Sequence, residues 1–598
     1  MNMMSTTRSA AGAALLILAT ALANANGPRP DVVLRALFAA SDEASLQRNP
    51  LEALARGDLR YADRFGDYLS DAYFAAEGRA AAADLAALAR IDRSALDAED
   101  RISYDVFQFQ RGDDLRASGA DFVGSQRDRP LEHFFGMQTV VPDMSSGNGI
   151  SPFKTVADYE NNLKRLDGYV TYLDRAIAGM RRGIADGITN PYLVMEHVAA
   201  QFDALIAEGV EGSTFYKPVR RFPETIPAVD RTRLSLAYGQ FIRTRLIPAH
   251  VRMRDFLKVE YLPRARHSIG LGEIPGGARL YRHLIASSTT TDMAPDDIHS
   301  LGLSEVTRIH SAMRTLQRAV GFKGSEKRFA VFLRTDPRFA PASAAAMHTA
   351  FESIDRKVLA SIARDFSLFP KSRLEIRPVP PYKEQTDAAG SYLDGAPDGS
   401  RPGIFYFNTF DLKSRYVWDY ETLFLHEAIP GHHFQGSLAQ ENAALPAFQR
   451  FGGNTAFVEG WALYAESLGS ELGMFTDPYQ SYGHLNSEIL RAMRLVVDTG
   501  IHARHWGRER AIAYMLDNSA LSRTEVEAEV ERYIAVPGQA LSYKIGELTI
   551  RRLPARAEKE LGSQFDVRAF HAQVLNSGAL PLAVLQRKIE AWIATVKR

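Results

Sequence analysis

The stretch Leu425-His426-Glu427-Ala428-Ile429-Pro430-Gly431-His432-His433 sets a His-Glu pair behind the apolar residues Leu423 and Phe424 and soon returns two imidazoles. In the common zinc-protease signature, His-Glu-x-x-His, the histidines lie at i and i+4 on one helix face and the Glu activates the metal's water. The spacing here is longer. At about 100° per residue, an undistorted helix puts His432 about 120° around from His426, while His433 falls nearly in line but two turns away. Pro430 forbids the undistorted helix, because it has no N–H for the His426 carbonyl and its ring crowds that carbonyl. Gly431 accepts a widened turn, and a bulge of about two residues would carry His432 to the place of the i+4 histidine. A His-Glu pair alone is commonplace in helices and usually solvated or locally satisfied. Two further imidazoles, a Pro-Gly and an apolar approach fit a metal site better, since buried imidazoles and carboxylates without partners are costly.

Outward from this stretch, the chain has 598 residues, 46% hydrophobic and 24% charged, with no formal net charge. That length exceeds what one core usually serves and predicts two lobes around a cleft. The balanced charge recommends neither nucleic acid nor an anionic membrane as partner. Arg8 precedes the apolar run Ala10 to Ala19, and Ala21-Leu22-Ala23 and Ala23-Asn24-Ala25 have the small-x-small form that signal peptidase cuts. Residues 1–25 therefore read as a secretory signal, too short for a comfortable membrane span, with the mature chain 26–598 exported to the periplasm or outside. The sequence holds no cysteine. This excludes disulfides, a thiol nucleophile, thiolate ligands and a lipoprotein attachment point, and leaves His and carboxylate ligands, a set suited to catalytic Zn²⁺.

The apolar periodicity is helical from Pro30 to about Gly119, from Val156 to Ala207, and onward through Leu257. Residues 120 to 154, rich in Gly, Pro, Ser and Asp, read as a long irregular loop. The Gly-rich patch 270–277 lacks the context of a phosphate loop and reads as a turn. Helices are expected at Asp296–Val320 and Ala342–Ile362. Leu374–Val379 and Gly403–Thr409 are β-type runs just before the His-Glu helix, either a plain hairpin or a small sheet whose edge takes an extended peptide. After Tyr416 the pattern is helical almost to the end.

Catalytic zinc usually takes three protein ligands and leaves a fourth position open. The best further donor is Glu459, within the apolar helical run Phe457-Val458-Glu459-Gly460-Trp461-Ala462-Leu463-Tyr464-Ala465-Glu466. Glu466, two turns on along roughly the same face, reads as a group behind a ligand or as an outward charge.

Four segments carry a family likeness: His426 to His432, Phe457 to Ala462, Asp498-Thr499-Gly500-Ile501-His502, and Tyr533 to Tyr543 with its Pro537-Gly538-Gln539 core. With Asp398 to Gly403 upstream, they make the chain resemble the bacterial DUF885 proteins, grouped with gluzincin-type metallopeptidases. The resemblance implies a mainly α-helical, two-lobed fold with a deep cleft, a zinc-dependent peptidase activity, and His432 rather than His433 as the second histidine. By analogy with gluzincins, Tyr543 or His502 would meet the oxyanion, each with a purely structural alternative. Arg491 and Arg494 would bind a substrate carboxylate or brace acidic residues.

The expectation is thus a mainly α fold with a small sheet beside the metal helix and a metal site within 400–550. His426, His432 and Glu459 would hold Zn²⁺, and Glu427 would act as general base on a zinc-bound water that attacks small peptides. The alternatives are a zinc hydrolase of another amide or an ester, and a non-catalytic metal- or peptide-binding protein. Glu427 speaks against the last, since metal binding alone does not need it.

Overall fold

The helical periodicity that begins at Pro30 is realised along almost the whole chain in the computed structural model, which describes residues 29–380, 384, 388–397, 399 and 401–598. The signal sequence expected at 1–25 lies outside the described residues. The architecture is mainly α-helical with one small sheet. In chain order, the elements that matter below begin with α1 (Tyr192–Ala207) and α2 (Pro295–Ala319). Three strands follow, β1 (Leu374–Pro378), β2 (Gly390–Leu393) and β3 (Gly403–Phe407). Then come α3 (Tyr420–Glu427), α4 (His432–Glu441), α5 (Thr455–Ser467), α6 (Pro478–Arg504), α7 (Arg523–Ala535) and α8 (Leu541–Leu561). Among the described residues no helix is long and apolar enough to cross a membrane.

Two large apolar clusters form the interior. One joins Val194, Met195 and Val198 of α1 to Ile489, Met493 and Val496 of α6 and to Val526, Val530 and Tyr533 of α7. The other joins Phe405 and Phe407 of β3 to Phe424 and Leu425 of α3, Phe457 and Trp461 of α5, and Ile550 of α8. Each fully buried Leu or Phe contributes about 1.5–3 kcal/mol by leaving water, so these faces fix the helices that carry the functional side chains. Local signals set the helix starts. Asn454 caps α5 by accepting the N–H of Phe457, Asp477 caps α6 ahead of Pro478, and Ser522 and Glu525 form a reciprocal capping box on α7.

The structure corrects two expectations. Residues 120–154 are not one irregular loop, since they hold helices Ala120–Asp128 and Met137–Met144. Gly119 and Gly136 sit at the N-caps of these helices, so residues that read as loop formers mark helix starts. The two β-type runs do not form a hairpin. β1 pairs parallel with β3 in the register Leu374↔Gly403, and β2, from the intervening Gly/Pro/Asp-rich segment, pairs antiparallel on the other side of β3. A parallel pair cannot be closed by a tight turn, which is why the long connection exists.

Candidate metal centre

Helix α3 stops at Glu427. Ala428 leaves helical geometry (φ −106°, ψ −105°), the Ile429–Pro430 peptide is cis, and a new helix, α4, begins at His432. The expected two-residue bulge in a continuous helix is therefore wrong in form: Pro430 ends the helix rather than widening it. The break nonetheless returns His432 to the side of His426. A β-carbon on Gly431 would lie 1.9 Å from the His426 carbonyl oxygen, so only glycine lets the chain fold back over that carbonyl. The buried Trp461 of α5 fastens the break by donating its indole N–H to the Pro430 carbonyl at 2.8 Å.

This fold-back brings the His426 and His432 rings to 4.8 Å between centroids, nearly perpendicular. Glu459 of α5 meets both. Its Oε2 lies 3.7 Å from His426 Nε2 and 3.6 Å from His432 Nε2, and one ligating atom from each of the three residues falls within 4.8 Å of the others. These separations are long for hydrogen bonds. They are close to the edge of about 3.3–3.4 Å expected between ligands held at about 2.0–2.1 Å around tetrahedral Zn²⁺. The donor set, two imidazole nitrogens and one carboxylate oxygen, suits that ion.

Behind the cluster, His426 Nδ1 bonds Glu466 Oε1 at 2.8 Å, and Glu466 is almost wholly buried. A carboxylate there holds the proton on Nδ1 and turns the Nε2 lone pair toward Glu459 and His432. Glu466 is in turn approached by His484 Nδ1 at 3.6 Å and Arg491 Nη2 at 3.9 Å, both on α6. Glu466 is therefore the supporting group and Glu459 the one that faces both Nε2 atoms. The protein's own charges polarise the site strongly. Burial favours neutral His426, but Glu459 and Glu466 outweigh it and hold the imidazole up at about 9. Burial likewise pushes Glu459 up, yet His426, His432 and the Tyr543 hydroxyl draw it down to about 2.

The other sequence-derived residues divide. Glu427 sits beside His426 and is partly buried, and among the described residues its carboxylate makes no hydrogen bond or ion pair. Tyr543 reaches the cluster. Its hydroxyl accepts from Arg532 Nη2 at 3.1 Å, and its ring lies 4.5 Å from the Arg494 guanidinium carbon. The neighbouring Gly460 and Gly546 place it: a β-carbon on Gly460 would stand 2.6 Å from Gly546 Cα, and one on Gly546 would stand 1.9 Å from the Ala456 carbonyl oxygen. Helices α5 and α8 thus cross almost backbone to backbone.

His502 does not join the centre. Its Nδ1 accepts from the Leu271 N–H at 3.1 Å and its Nε2 donates to the Tyr533 carbonyl at 2.9 Å, so neither nitrogen is left for an oxyanion. Burial pushes its pKa down to about 3, in keeping with a neutral structural imidazole. Arg494 braces acidic residues, pairing with Glu529 at 2.9 Å. Sequence reading passed over His484, although its seven-residue spacing from Arg491 puts both on one face of α6. It also passed over Arg532 and over Asp394, whose carboxyl is raised by burial against the pull of His432 and Arg401. No local pattern marks either residue.

His433 points away. Its Nδ1 lies 3.0 Å from the Tyr392 hydroxyl, and burial lowers its pKa to about 4. His432→Ala is expected to abolish zinc binding at this centre. His433→Ala should keep the metal and cost only about 1 kcal/mol of stability for its hydrogen bond. Elemental analysis and a thermal melt of the two variants check this, and zinc lost from His433→Ala with zinc kept in His432→Ala reverses the assignment.

The family model described as "Bacterial protein of unknown function (DUF885)" matches residues 50–589. A solved "putative lipoprotein" from Colwellia psychrerythraea is 28% identical, with TM-score 0.87 over 95% of this chain and 99% of that one. A "putative lipoprotein of unknown function" from Shewanella oneidensis is 18% identical, with TM-score 0.70 over 93% and 99% of the two chains, and shares the fold. No curated protein matches the sequence.

Proposed function

The chain belongs to the DUF885 family, and we propose that it is an exported zinc-dependent metallopeptidase that hydrolyses short peptides. The observation that carries this reading is the convergence of His426 Nε2, His432 Nε2 and Glu459 Oε2 beside Glu427, whose carboxylate makes no hydrogen bond or ion pair among the described residues. His426, His432 and Glu459 would hold Zn²⁺, which when bound acidifies water to near neutral pKa and polarises a carbonyl. Export is in keeping with the N-terminal apolar run and with the lipoprotein description of the similar structures.

The residues divide the labour. Glu427 takes the proton of the attacking water and delivers it to the leaving amine, a role that needs a carboxylate not already paired. Tyr543 donates its hydroxyl proton to the oxyanion, and the two arginines beside it favour negative charge there. Glu466 keeps the His426 ring in one orientation and one tautomer. Strand β2 is an edge of the sheet and lies against α3, with Gly390 close to the Leu423 side chain. An edge strand beside the metal helix offers backbone hydrogen bonds to an extended peptide, which favours peptides over other amides or esters. The limited exposure of His432 and Glu459 favours small substrates, since a folded chain would not reach the ligands.

Incubation of the zinc-loaded protein with a mixed peptide library, read by mass spectrometry with a chelated control, tests the proposal. Cleavage that disappears on chelation and returns with zinc is expected, and an untouched library overturns the peptidase reading. Tyr543→Phe should lower kcat about 10²-fold with little change in KM, as for removal of one oxyanion donor. A Tyr543→Phe enzyme with wild-type kcat would exclude the hydroxyl from catalysis.

A further inference from the structure

Away from this centre, a second group of ligating side chains meets where three separate parts of the chain come together. We propose that His133, His197 and Glu531 form a second divalent-cation site that clamps helix α7 to α1. One ligating atom from each lies within 4.8 Å of the others. His197 Nε2 is 3.0 Å from Glu531 Oε2, and the His133 and His197 rings are 4.8 Å apart. A shift of a few tenths of an ångström would bring the first pair to the ligand spacing of about 3.3–3.4 Å around a tetrahedral ion.

The most telling residue is His133. Both of its ring nitrogens are shut off from solvent, and neither has a hydrogen-bond partner among the described residues. A buried polar atom left in that state is costly and calls for a partner. The ring is held in place from its backbone: Gln201 Nε2 donates to the His133 carbonyl at 2.8 Å, and the Glu132 carboxylate accepts the N–H groups of Phe134 and Phe135. Arg508 takes Oε1 of Glu531, with Nη2 at 2.6 Å, which leaves Oε2, the oxygen already turned to His197, to face an ion. Two imidazoles and a carboxylate make a zinc-type donor set, and the guanidinium of Arg508 sets a lower affinity here than at the His426 centre.

The position gives the ion a structural role. Helix α7 also carries Glu529 and Arg532, which hold Arg494 and Tyr543, and the Tyr533 carbonyl that receives His502. A cation that fixes Glu531 to α1 and to the turn at His133 therefore steadies the helix behind Tyr543.

The test uses the full mature chain. In the His426→Ala/His432→Ala variant, stripped with chelator and then titrated with ZnCl₂, about one equivalent should still bind by calorimetry and by elemental analysis after gel filtration, and the melting temperature should rise with zinc. Adding His197→Gln, at a half-exposed side chain, should remove both effects. If the double variant does not fold by circular dichroism, wild type is compared with His197→Gln, and two equivalents should fall to one. A folded double variant that binds no zinc, or a His197→Gln chain with unchanged zinc content, overturns the proposal and leaves an ordinary His–Glu pair beside a buried imidazole.

Discussion

Glu427→Gln is expected to leave the fold and the zinc content as they are and to lower kcat for peptide hydrolysis by roughly 10²–10⁴-fold, the span of a general base. The amide has the shape of the carboxylate but cannot take the water's proton. Because Glu427 makes no hydrogen bond or ion pair among the described residues, the substitution breaks nothing in the structure and isolates the chemistry. KM should move little, since the lost interaction belongs to the transition state. Equal turnover by wild type and Glu427→Gln at equal zinc content would rule out the mechanism while leaving the metal site standing.

The second large effect is on the metal itself. Glu459→Ala and His426→Ala should each cost the protein the zinc of this centre and with it all hydrolysis, because two ligands of the three do not hold a catalytic ion. Glu466→Gln should behave differently. The ligands remain, but the His426 ring loses the carboxylate that orients it, and zinc affinity should fall about 10- to 100-fold. Chelator competition distinguishes the cases. Full zinc retention in Glu459→Ala would move the third ligand elsewhere, with Glu466 the next to be tried.

Much of this centre is legible in the sequence. His426, Glu427, His432 and Glu459 stand out because charged and imidazole groups inside apolar helical runs need a partner, and the sequence shows both the groups and the runs. The route by which they meet was not legible. A proline after a helical segment allows a widened turn or a full stop, and the difference lies in tertiary contacts such as the bond from Trp461 to the Pro430 carbonyl. His502 shows the opposite limit. It lies in a segment as distinctive as that of Tyr543, yet its two bonds go to backbone atoms at Leu271 and Tyr533, partners far apart in sequence that no spacing rule reveals. Strand β2 was hidden because the glycine, proline and aspartate around it resemble a loop, while its pairing depends on β3.

The contact between Gly460 and Gly546 bears on how a mutational scan of this protein would read. Neither glycine has a side chain to touch a substrate or an ion, and both have ordinary negative φ angles, so backbone conformation does not require glycine at either place. Their intolerance would come from how closely the two helices cross, Gly460 against the Gly546 backbone and Gly546 against the Ala456 carbonyl and Gly460. Even alanine at either position would wedge α5 from α8 and part Glu459 from Tyr543. In such a scan both positions would score like active-site residues, and the two would be found to fail for one shared reason: the distance between two helices, measured in a single methyl group.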